Sequence, residues 1–541
     1  VTVAETLAHA LRDAGVTRMF GLPGGEILDF VEAARRTGIE FVLVRHEATA
    51  SFLADALGQL ERRPAVCVST LGPGAVNMTL GVANAFLDRS PLIAITAAMT
   101  EAGSAYATHQ NLDLNAVYRP FTKLTLTLDG VATAATVRRA WRAAVEPRMG
   151  PVHLALPSDV ARREERGAED AGAIDASPPP AAPSGDDVAR MAAIIRQARR
   201  PVLLVGLDLD PATAPPIVRR AVDALGVPVF VTPKAKGIVP EDHPLFCGVC
   251  AGVAGDGVIV DFLAQSDLLV GLGYDPVESD KLWHSTMRIV SIGPLSIAAG
   301  RFKPAFELIG EFGAAIAGLL AARAGPYEWT TLDIETLRAD LLRAMRPVVR
   351  PERGVSPYEL TRRLRERAPR ETIMTTDVGS VKFVVSQAWT TYEPLTFLES
   401  NGLSAMGYGL PAAMAAKVRF PDRPVICTIG DGGMGMMFAD LETCVRERLN
   451  VVTVVYNDNA LSLIRVAQAR RGHPDYGVRY GSVDFAAAAQ ALGAWGRRVT
   501  SLEDLDHALA EALRLARPTV IDVLVDPAEY DAHAAPPKTQ G

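Results

Sequence analysis

The sequence predicts an α/β protein of three doubly wound parallel-sheet domains, and three observations carry that prediction. Short Val/Ile/Leu runs alternate with longer Ala/Leu/Arg segments of helical period along almost the whole chain, the pattern of strands returned in parallel by crossover helices. The 541 residues correspond to about three or four domains at roughly 150 residues each. Apolar residues make up 49% and charged residues 22%, which leaves enough apolar side chain to fill several buried sheets.

The elements follow in order. In the first third, FVLVR (41–45), PAVCVST (64–70), PLIAITA (91–97) and PVHLALP (151–157) read as strands of a domain spanning 1–165. The stretch 167–187, GAEDAGAIDASPPPAAPSGDD, is rich in Pro, Ala and Gly, has no apolar period and reads as an exposed linker. A second block, 188–325, carries RPVLLVGLDL (200–209), VPVFVT (227–232), DLLVGLGY (267–274) and RIVSIG (288–293). A helical segment near 331–345 and the proline-dotted RPVVRPERGVSP (346–357) lead to a third block, 350–530, with PVICTIG (424–430), NVVTVVYN (450–457) and TVIDVLVD (519–526).

Charge and cysteine usage exclude several classes. A net charge of -7 argues against a nucleic-acid surface. No apolar run approaches the roughly 18 residues of a spanning helix, and VTVAETLAHALRDAGV at the N-terminus reads as an amphipathic helix without a signal-peptide core. A cytoplasmic location, away from membranes, is therefore expected. Cys67, Cys427 and Cys444 sit in apolar contexts, as small hydrophobes do. Cys247 and Cys250 form a C-x-x-C without a second pair, so zinc is not expected and all five are read as reduced thiols.

The chemistry concentrates in GDGGMGMMFADLETCVRERLNVVTVVYNDN (430–459). A strand ends at Gly430-Asp431-Gly432-Gly433, a helix follows over 438–448, and the next strand ends at Asp458. A βαβ unit returns its second strand parallel to the first, which brings Asp431 and Asp458 to one sheet edge, where ligands bind. Two readings compete. Taken literally, GDGGMG is a G-x-G-x-x-G turn and implies a nicotinamide-dependent oxidoreductase. Yet Asp431 would repel a phosphate in that turn unless a cation lies between them. Two acids beside an amide-rich loop suit an octahedral Mg²⁺ bridging to a diphosphate, because hard cations prefer oxygen ligands. The second reading is better physics.

GDG followed by NDN at this spacing resembles the metal–diphosphate motif of thiamine-diphosphate-dependent enzymes. FGLPGGEILDF (20–30), VRHEATASFLADALGQL (44–60), STLGPGAVNMTLGVANAFLDRSPLIAIT (69–96), KAKGIVPEDHPLF (234–246), TTDVGS (375–380) and GLSAMGYGLPAAMAAKV (402–418) are similar to the acetolactate synthase and pyruvate oxidase branch. The resemblance implies pyrimidine-binding, middle and diphosphate-binding domains in that order. It also implies thiamine diphosphate and Mg²⁺ as cofactors, a small 2-keto acid as substrate, and a homo-oligomer, dimer or tetramer, with the active site between subunits.

Individual positions take their expected roles from the same resemblance. Asp431, Asp458 and the carbonyl of Ala460 match the metal ligands; Gly432, Gly433, Leu461, Ser462, Gly379 and Ser380 match the phosphate contacts. Glu47 matches the glutamate that hydrogen-bonds the pyrimidine ring and helps remove the thiazolium proton. On its own, a glutamate in a helix's first turn would be a surface charge compensating the dipole. Met406 matches the apolar wedge between the cofactor rings, and the Ser404 carbonyl the partner of the pyrimidine amino group. Gln110 matches an active-site glutamine.

Several positions depart from the synthase pattern. His109 replaces a phenylalanine and is either a proton donor or a satisfied polar residue. Ser380 and Val381 stand where Gln-His is usual, and Lys382 either replaces some of the lost charge or faces solvent. Ala467 replaces a tryptophan that shapes the acceptor pocket. Glu26 replaces a small residue and either faces substrate, disfavouring an anionic one, or lies on the surface. GYDPVESDKLW (273–283) lacks both arginines of the branch's FAD segment, so FAD is not expected. His109 and Ala467 keep a 2-keto acid decarboxylase of benzoylformate type as the within-family alternative.

Overall fold

The computed structural model describes residues 1–106, 109–167, 180–250, 252–278, 287–299, 302–322, 325–346 and 354–533. Most of the expected linker (168–179), part of the segment at 273–283 (279–283) and part of the proline-dotted stretch (347–353) lie outside the described residues. The chain folds into three six-stranded sheets whose neighbouring strands all pair in parallel. The first holds β1 (Arg18–Leu22), β2 (Glu40–Leu43), β3 (Ala65–Ser69), β4 (Leu92–Ala98), β5 (Leu124–Thr127) and β6 (Pro151–Pro157). The second holds β7 (Pro201–Val205), β8 (Val229–Val231), β9 (Phe246–Val249), β10 (Leu268–Leu272), β11 (Ile289–Gly293) and β12 (Phe306–Ile309). The third holds β13 (Ile373–Thr376), β14 (Phe397–Glu399), β15 (Val425–Gly430), β16 (Val452–Asn457), β17 (Trp495–Val499) and β18 (Thr519–Leu524).

The strand orders divide the sheets into two kinds. The first runs β2-β1-β3-β4-β6-β5 and the third β14-β13-β15-β16-β18-β17, so each strand of one has a counterpart at the same place in the other. The second runs β12-β11-β10-β7-β8-β9, the order of dinucleotide-binding sheets. The three doubly wound parallel-sheet domains expected from the alternating runs are thus observed.

The first and third sheets share one core. The helix Glu47–Glu61 is buried from Glu47 to Leu60, because it lies between the two domains, and its Phe52 meets Tyr408 of the third domain edge-on at 5.7 Å. Its other neighbour is the helix Pro73–Leu87, where Gly81 permits close approach. A Cβ on Gly81 would lie 2.3 Å from Ser51 Oγ and 2.6 Å from the Phe52 backbone nitrogen. The N-terminal helix runs Val3–Asp13 with a Thr2/Glu5 capping box and buries Val3, Leu7 and Leu11, the stripe its amphipathic pattern requires.

All five cysteines are buried and none is in a disulfide, Cys247 and Cys250 included. Among the described residues no helix is long and apolar enough to cross a membrane. The Gly81 contact has a measurable consequence: Gly81→Ala is expected to destabilise the fold by about 2 kcal/mol, the usual cost of overpacking against backbone. Thermal unfolding reads it, and a wild-type midpoint would contradict the helix–helix contact.

Candidate active site

The carboxyl edge of the third sheet gathers most of the chemistry. After β15 the chain enters a short helix, Asp431–Met437, instead of an open turn, with Gly430 as its N-cap. The helix expected over 438–448 is a single 3₁₀ turn followed by Leu441–Arg446. Asp431 accepts from the Gly432 amide through Oδ1 at 2.7 Å, while Oδ2 is buried with no partner. Burial, and then the nearby charge of Asp458, push the Asp431 carboxyl up to about 7. Asp458, just past β16, accepts from the Ala460 amide at 3.1 Å and the Ser462 hydroxyl at 2.5 Å, and burial raises its pKa too. The crossover rule therefore placed these two acids together correctly.

The segment behind Asp458 is pinned. Asn459 adopts a left-handed conformation, φ 57°; its carbonyl accepts from the Tyr480 amide at 2.8 Å, and the Leu461 amide donates to Val478 at 2.8 Å. These bonds leave Ala460 and Leu461 in one fixed extended turn before the helix Ser462–Arg470. Tyr480 brings its phenol to 3.0 Å from where a Cβ on Gly432 would lie, and the Met406 methyl carbon reaches the same point at 3.0 Å. Gly432 is thus the floor of a narrow passage between Met406 and Tyr480.

β13 supplies a residue that sequence reasoning missed. Asp377 is buried and accepts from the amides of Gly407 at 3.0 Å and Gly409 at 3.2 Å, tying the Ser404–Gly407 turn to the sheet. Burial pushes its carboxyl up to about 6, against the pull of those amides. Gly433 makes room for it, since a Cβ there would lie 1.7 Å from Asp377 Oδ2. Gly379 follows at φ 116° with open space around it, and the helix Ser380–Ala388 begins with the Ser380 hydroxyl buried and unpartnered. Ser404 also sits in the left-handed region, φ 54°, with its hydroxyl donating to Asn401.

The carboxyl edge thus carries the orphaned Asp431 Oδ2 and Ser380 Oγ, the carboxylates of Asp431 and Asp458, and the glycines that follow β13 and β15. Such a donor set suits a hard cation and a phosphate ester, since each orphaned oxygen otherwise costs free energy. Among the described residues no cluster of three His, Cys, Asp or Glu side chains exists, so a cation here takes only two side chains and completes its shell elsewhere.

The first sheet presents a second edge. Glu47 is buried and opens its helix behind the His46 cap; its Oε2 accepts from Asn77 Nδ2 at 3.0 Å, and Oε1 lies 3.0 Å from where a Cβ on Gly74 would sit. Glu26 is half-buried and accepts from the Thr70 hydroxyl at 2.8 Å, so it faces this edge and not open solvent. Gln110, at φ 56°, closes over Gly72, where a Cβ would come within 2.9 Å of the Gln110 Cβ. His109 and Gln110 are both exposed, and residues 107–108 before them lie outside the described residues.

Two expectations need correction or refinement. Lys382 neither supplies charge to a diphosphate nor faces solvent: it is buried and pairs with Glu399 Oε1 at 3.1 Å, with further bonds to the Ser400 carbonyl and Asn401 Oδ1. Its position one turn into the helix points it back across β14, away from the orphaned Ser380. Ala467 is exposed on the helix Ser462–Arg470, leaving open the space a larger side chain would fill.

Comparison with known proteins decides the family. Residues 1–117 match the thiamine pyrophosphate enzyme N-terminal TPP binding domain, 188–319 its central domain and 377–523 its C-terminal TPP binding domain. Acetolactate synthase of Bacillus subtilis is 31% identical over 538 residues, covering 97% of this chain and 93% of that protein. The acetolactate synthase isozyme 1 large subunit of Escherichia coli is 30% identical over 549 residues, covering 99% and 96%. The catabolic acetolactate synthase of Raoultella terrigena is 29% identical over 535 residues, covering 97% and 95%. The chain is a thiamine-diphosphate-dependent enzyme of the acetolactate synthase branch.

For a thiamine-diphosphate enzyme, the nicotinamide reading of Gly430–Gly435 loses its basis, because Asp431 opens the helix on which a dinucleotide phosphate would sit. Of the residues singled out in the sequence, the structure brings Asp431, Asp458, Ala460, Leu461, Ser462, Gly432, Gly433 and Met406 to one edge, with Gly379, Ser380 and Ser404 on the loops from β13 and β14. Glu47, Gln110 and Glu26 lie at the other edge. Asp377, Asn77, Thr70 and Tyr480 are additions. Asp377→Ala would strand two buried amides at a cost of about 2–4 kcal/mol. It is expected to weaken thiamine diphosphate binding by about tenfold or more in a fluorescence titration. Unchanged affinity in a folded variant would contradict the role given to Asp377.

Proposed function

We propose that this enzyme uses thiamine diphosphate and Mg²⁺ to decarboxylate a small 2-keto acid and to pass the remaining acyl unit to a second carbonyl, as an acetolactate synthase does. The observation that carries the reading is the buried Asp431, whose Oδ2 has no partner and whose carboxyl is pushed up by burial and by the charge of Asp458 beside it. Asp431, Asp458 and the Ala460 carbonyl would hold the cation; Gly379, Ser380, Gly432, Gly433, Leu461 and Ser462 would hold the diphosphate. When bound, thiamine diphosphate supplies the carbon nucleophile and the electron sink that decarboxylation needs.

The chain's own groups would do the rest. Met406 over Gly432 would fix the cofactor's bend, and the Ser404 carbonyl, presented by a left-handed backbone, would orient the pyrimidine. Glu47, shielded from water and aligned by Asn77, would share a proton with the pyrimidine ring nitrogen. Gln110, closing over Gly72, and its neighbour His109 would meet substrate.

The Glu47 carboxylate bonds to Asn77 within the first domain and that of Asp431 to Gly432 within the third. Among the described residues neither carboxylate bonds the other domain, although Arg45 and Thr49 beside Glu47 bond to Asp440 beyond the Asp431 helix. Apolar side chains rim both edges: Val76 and Leu80 are 44% and 40% exposed beside Asn77, and Met436 and Ile464 are 56% and 49% exposed beside the metal edge. Exposed apolar rims at two half-sites support a homo-oligomer, dimer or tetramer, whose partner completes each site. We place the domain limits at 1–165, 188–325 and 350–530, and the enzyme in the cytoplasm.

FAD is not part of the proposal. In dinucleotide-binding sheets the phosphate lies at the switch point, here between β7 and β10. A Cβ on Gly206 there would lie 2.6 Å from Tyr274 Cα, and the Leu207 amide already donates to Glu278 Oε2 at 3.0 Å. Asp208 and Asp275 beside it already pair with Arg148 and Arg89, so the amide and guanidinium donors here are taken by this chain's own acids.

Incubation with thiamine diphosphate, Mg²⁺ and pyruvate, followed by proton NMR, is expected to give acetolactate, and EDTA to abolish it. Acetaldehyde as the sole product would overturn carboligation in favour of the decarboxylase alternative.

A further inference from the structure

A second polar cluster lies where all three domains meet. At its centre is Asp88, which closes the helix Pro73–Leu87. Its Oδ1 accepts from the Gly402 amide at 2.7 Å and the Asn401 amide at 3.3 Å, and its Oδ2 accepts from Lys234 Nζ at 3.1 Å. Lys234 belongs to the middle domain, just past β8, and both side chains are buried, 6% and 1% exposed. The ammonium also donates to Gln59 Oε1 at 2.7 Å and to the Glu399 carbonyl at 3.0 Å, so its three donors are all used.

The bonds converge on one turn. Asn84, one helical turn before Asp88, accepts from the Ser400 hydroxyl at 2.6 Å, and that hydroxyl accepts from the Ala405 amide at 2.8 Å. Lys382 holds the Ser400 carbonyl at 2.8 Å. Gly402 packs so tightly on the helix end that a Cβ would lie 2.6 Å from the Leu87 Cβ. The Asn401–Met406 turn follows β14 and has no sheet or helix ladder of its own, so its backbone groups depend on these side chains. Burying an ion pair seldom adds net stability over an apolar pair of the same size. What this pair does contribute is two fixed acceptor positions for consecutive amides.

We propose that Asp88, charge-balanced by Lys234, is a positioning residue for the turn that carries Ser404 and Met406, so that the middle domain shapes a cofactor site to which it contributes no contact. The claim rests on the reading of Ser404 and Met406 as cofactor contacts. Asp55 belongs to the same cluster, bonded to Gln59 at 2.9 Å and Asn84 at 2.6 Å, and is pushed up to about 6 by burial and by Asp88.

The test pairs Asp88→Leu/Lys234→Met, which leaves no unpaired charge, with the milder Ser400→Ala. Hydrogen exchange of the cofactor-free protein is read at 401–407, together with the thermal midpoint, the KM for thiamine diphosphate and kcat at saturating cofactor. Exchange in that turn should rise about tenfold or more, and the cofactor KM should rise with it. kcat at saturation should stay within about threefold, as for loss of uniform binding. Unchanged exchange and KM in a folded variant would overturn the proposal. So would exchange that rises equally in all three sheets as the midpoint falls, the mark of a purely structural pair. If the double variant does not fold, Asp88→Ser/Lys234→Gln, which takes the acceptor away from both amides and keeps the cluster polar, decides by the same criteria. A wild-type protein that binds no thiamine diphosphate would sink the cofactor reading instead, while exchange at 401–407 still tests the turn.

Discussion

Two carboxylates held together at the edge of one sheet set the terms for the rest of the molecule. Asp431 and Asp458 come from adjacent parallel strands, and among the described residues neither forms an ion pair. Arg465 and Arg479 only soften the field around Asp458, and Asp431 is left near pH 7 with an oxygen that nothing bonds. Under the proposed function, a bound cation and diphosphate would offset the cost of that pair. The surrounding glycines, the left-handed backbone at Asn459 and Ser404, and the clamp of Asp377 would all shape the space such a ligand takes.

The first and third sheets share one strand order, and under the proposed function each carboxyl edge would serve a different half of the chemistry. One helix, Pro73–Leu87, links them. Asn77 in its first turn aligns Glu47, and Asp88 at its end holds the turn that leads to Met406. Tight packing at Gly81 and Gly402 leaves this helix little freedom, so the geometry at one edge is mechanically tied to that at the other. The middle sheet keeps a dinucleotide strand order, but Asp208 and Asp275 at its crevice pair with Arg148 and Arg89, and its Lys234 bonds to groups of both neighbouring domains.

Much of this was legible in the sequence, for reasons that differ by residue. Strands with unbroken apolar runs, such as β4, β6 and β16, announce themselves because both faces are buried. β5 and β14 do not: they are short, and β5 reads Leu-Thr-Leu-Thr. Asp431 and Asp458 could be paired because a crossover fixes the relation of its two strands. Asp377 lies inside the TTDVGS motif, yet its role is not legible there, because its partners, the amides of Gly407 and Gly409, are set by tertiary packing alone. Lys382 misled for the same reason. Nothing local shows that it turns back to Glu399, and helical phase alone cannot tell a phosphate from a buried carboxylate.

The central claim is that each active site joins the Glu47 edge of one chain to the Asp431 edge of another, and mixing subunits tests it most directly. Glu47→Gln and Asp431→Asn chains, each inactive alone, are unfolded or dissociated together and reassembled. Random pairing should place both defects in one site of each mixed dimer and leave the other site intact, restoring about a quarter of wild-type activity. No recovery in mixtures shown to contain mixed dimers would mean that Glu47 and Asp431 serve one site within a single chain, and would contradict the account.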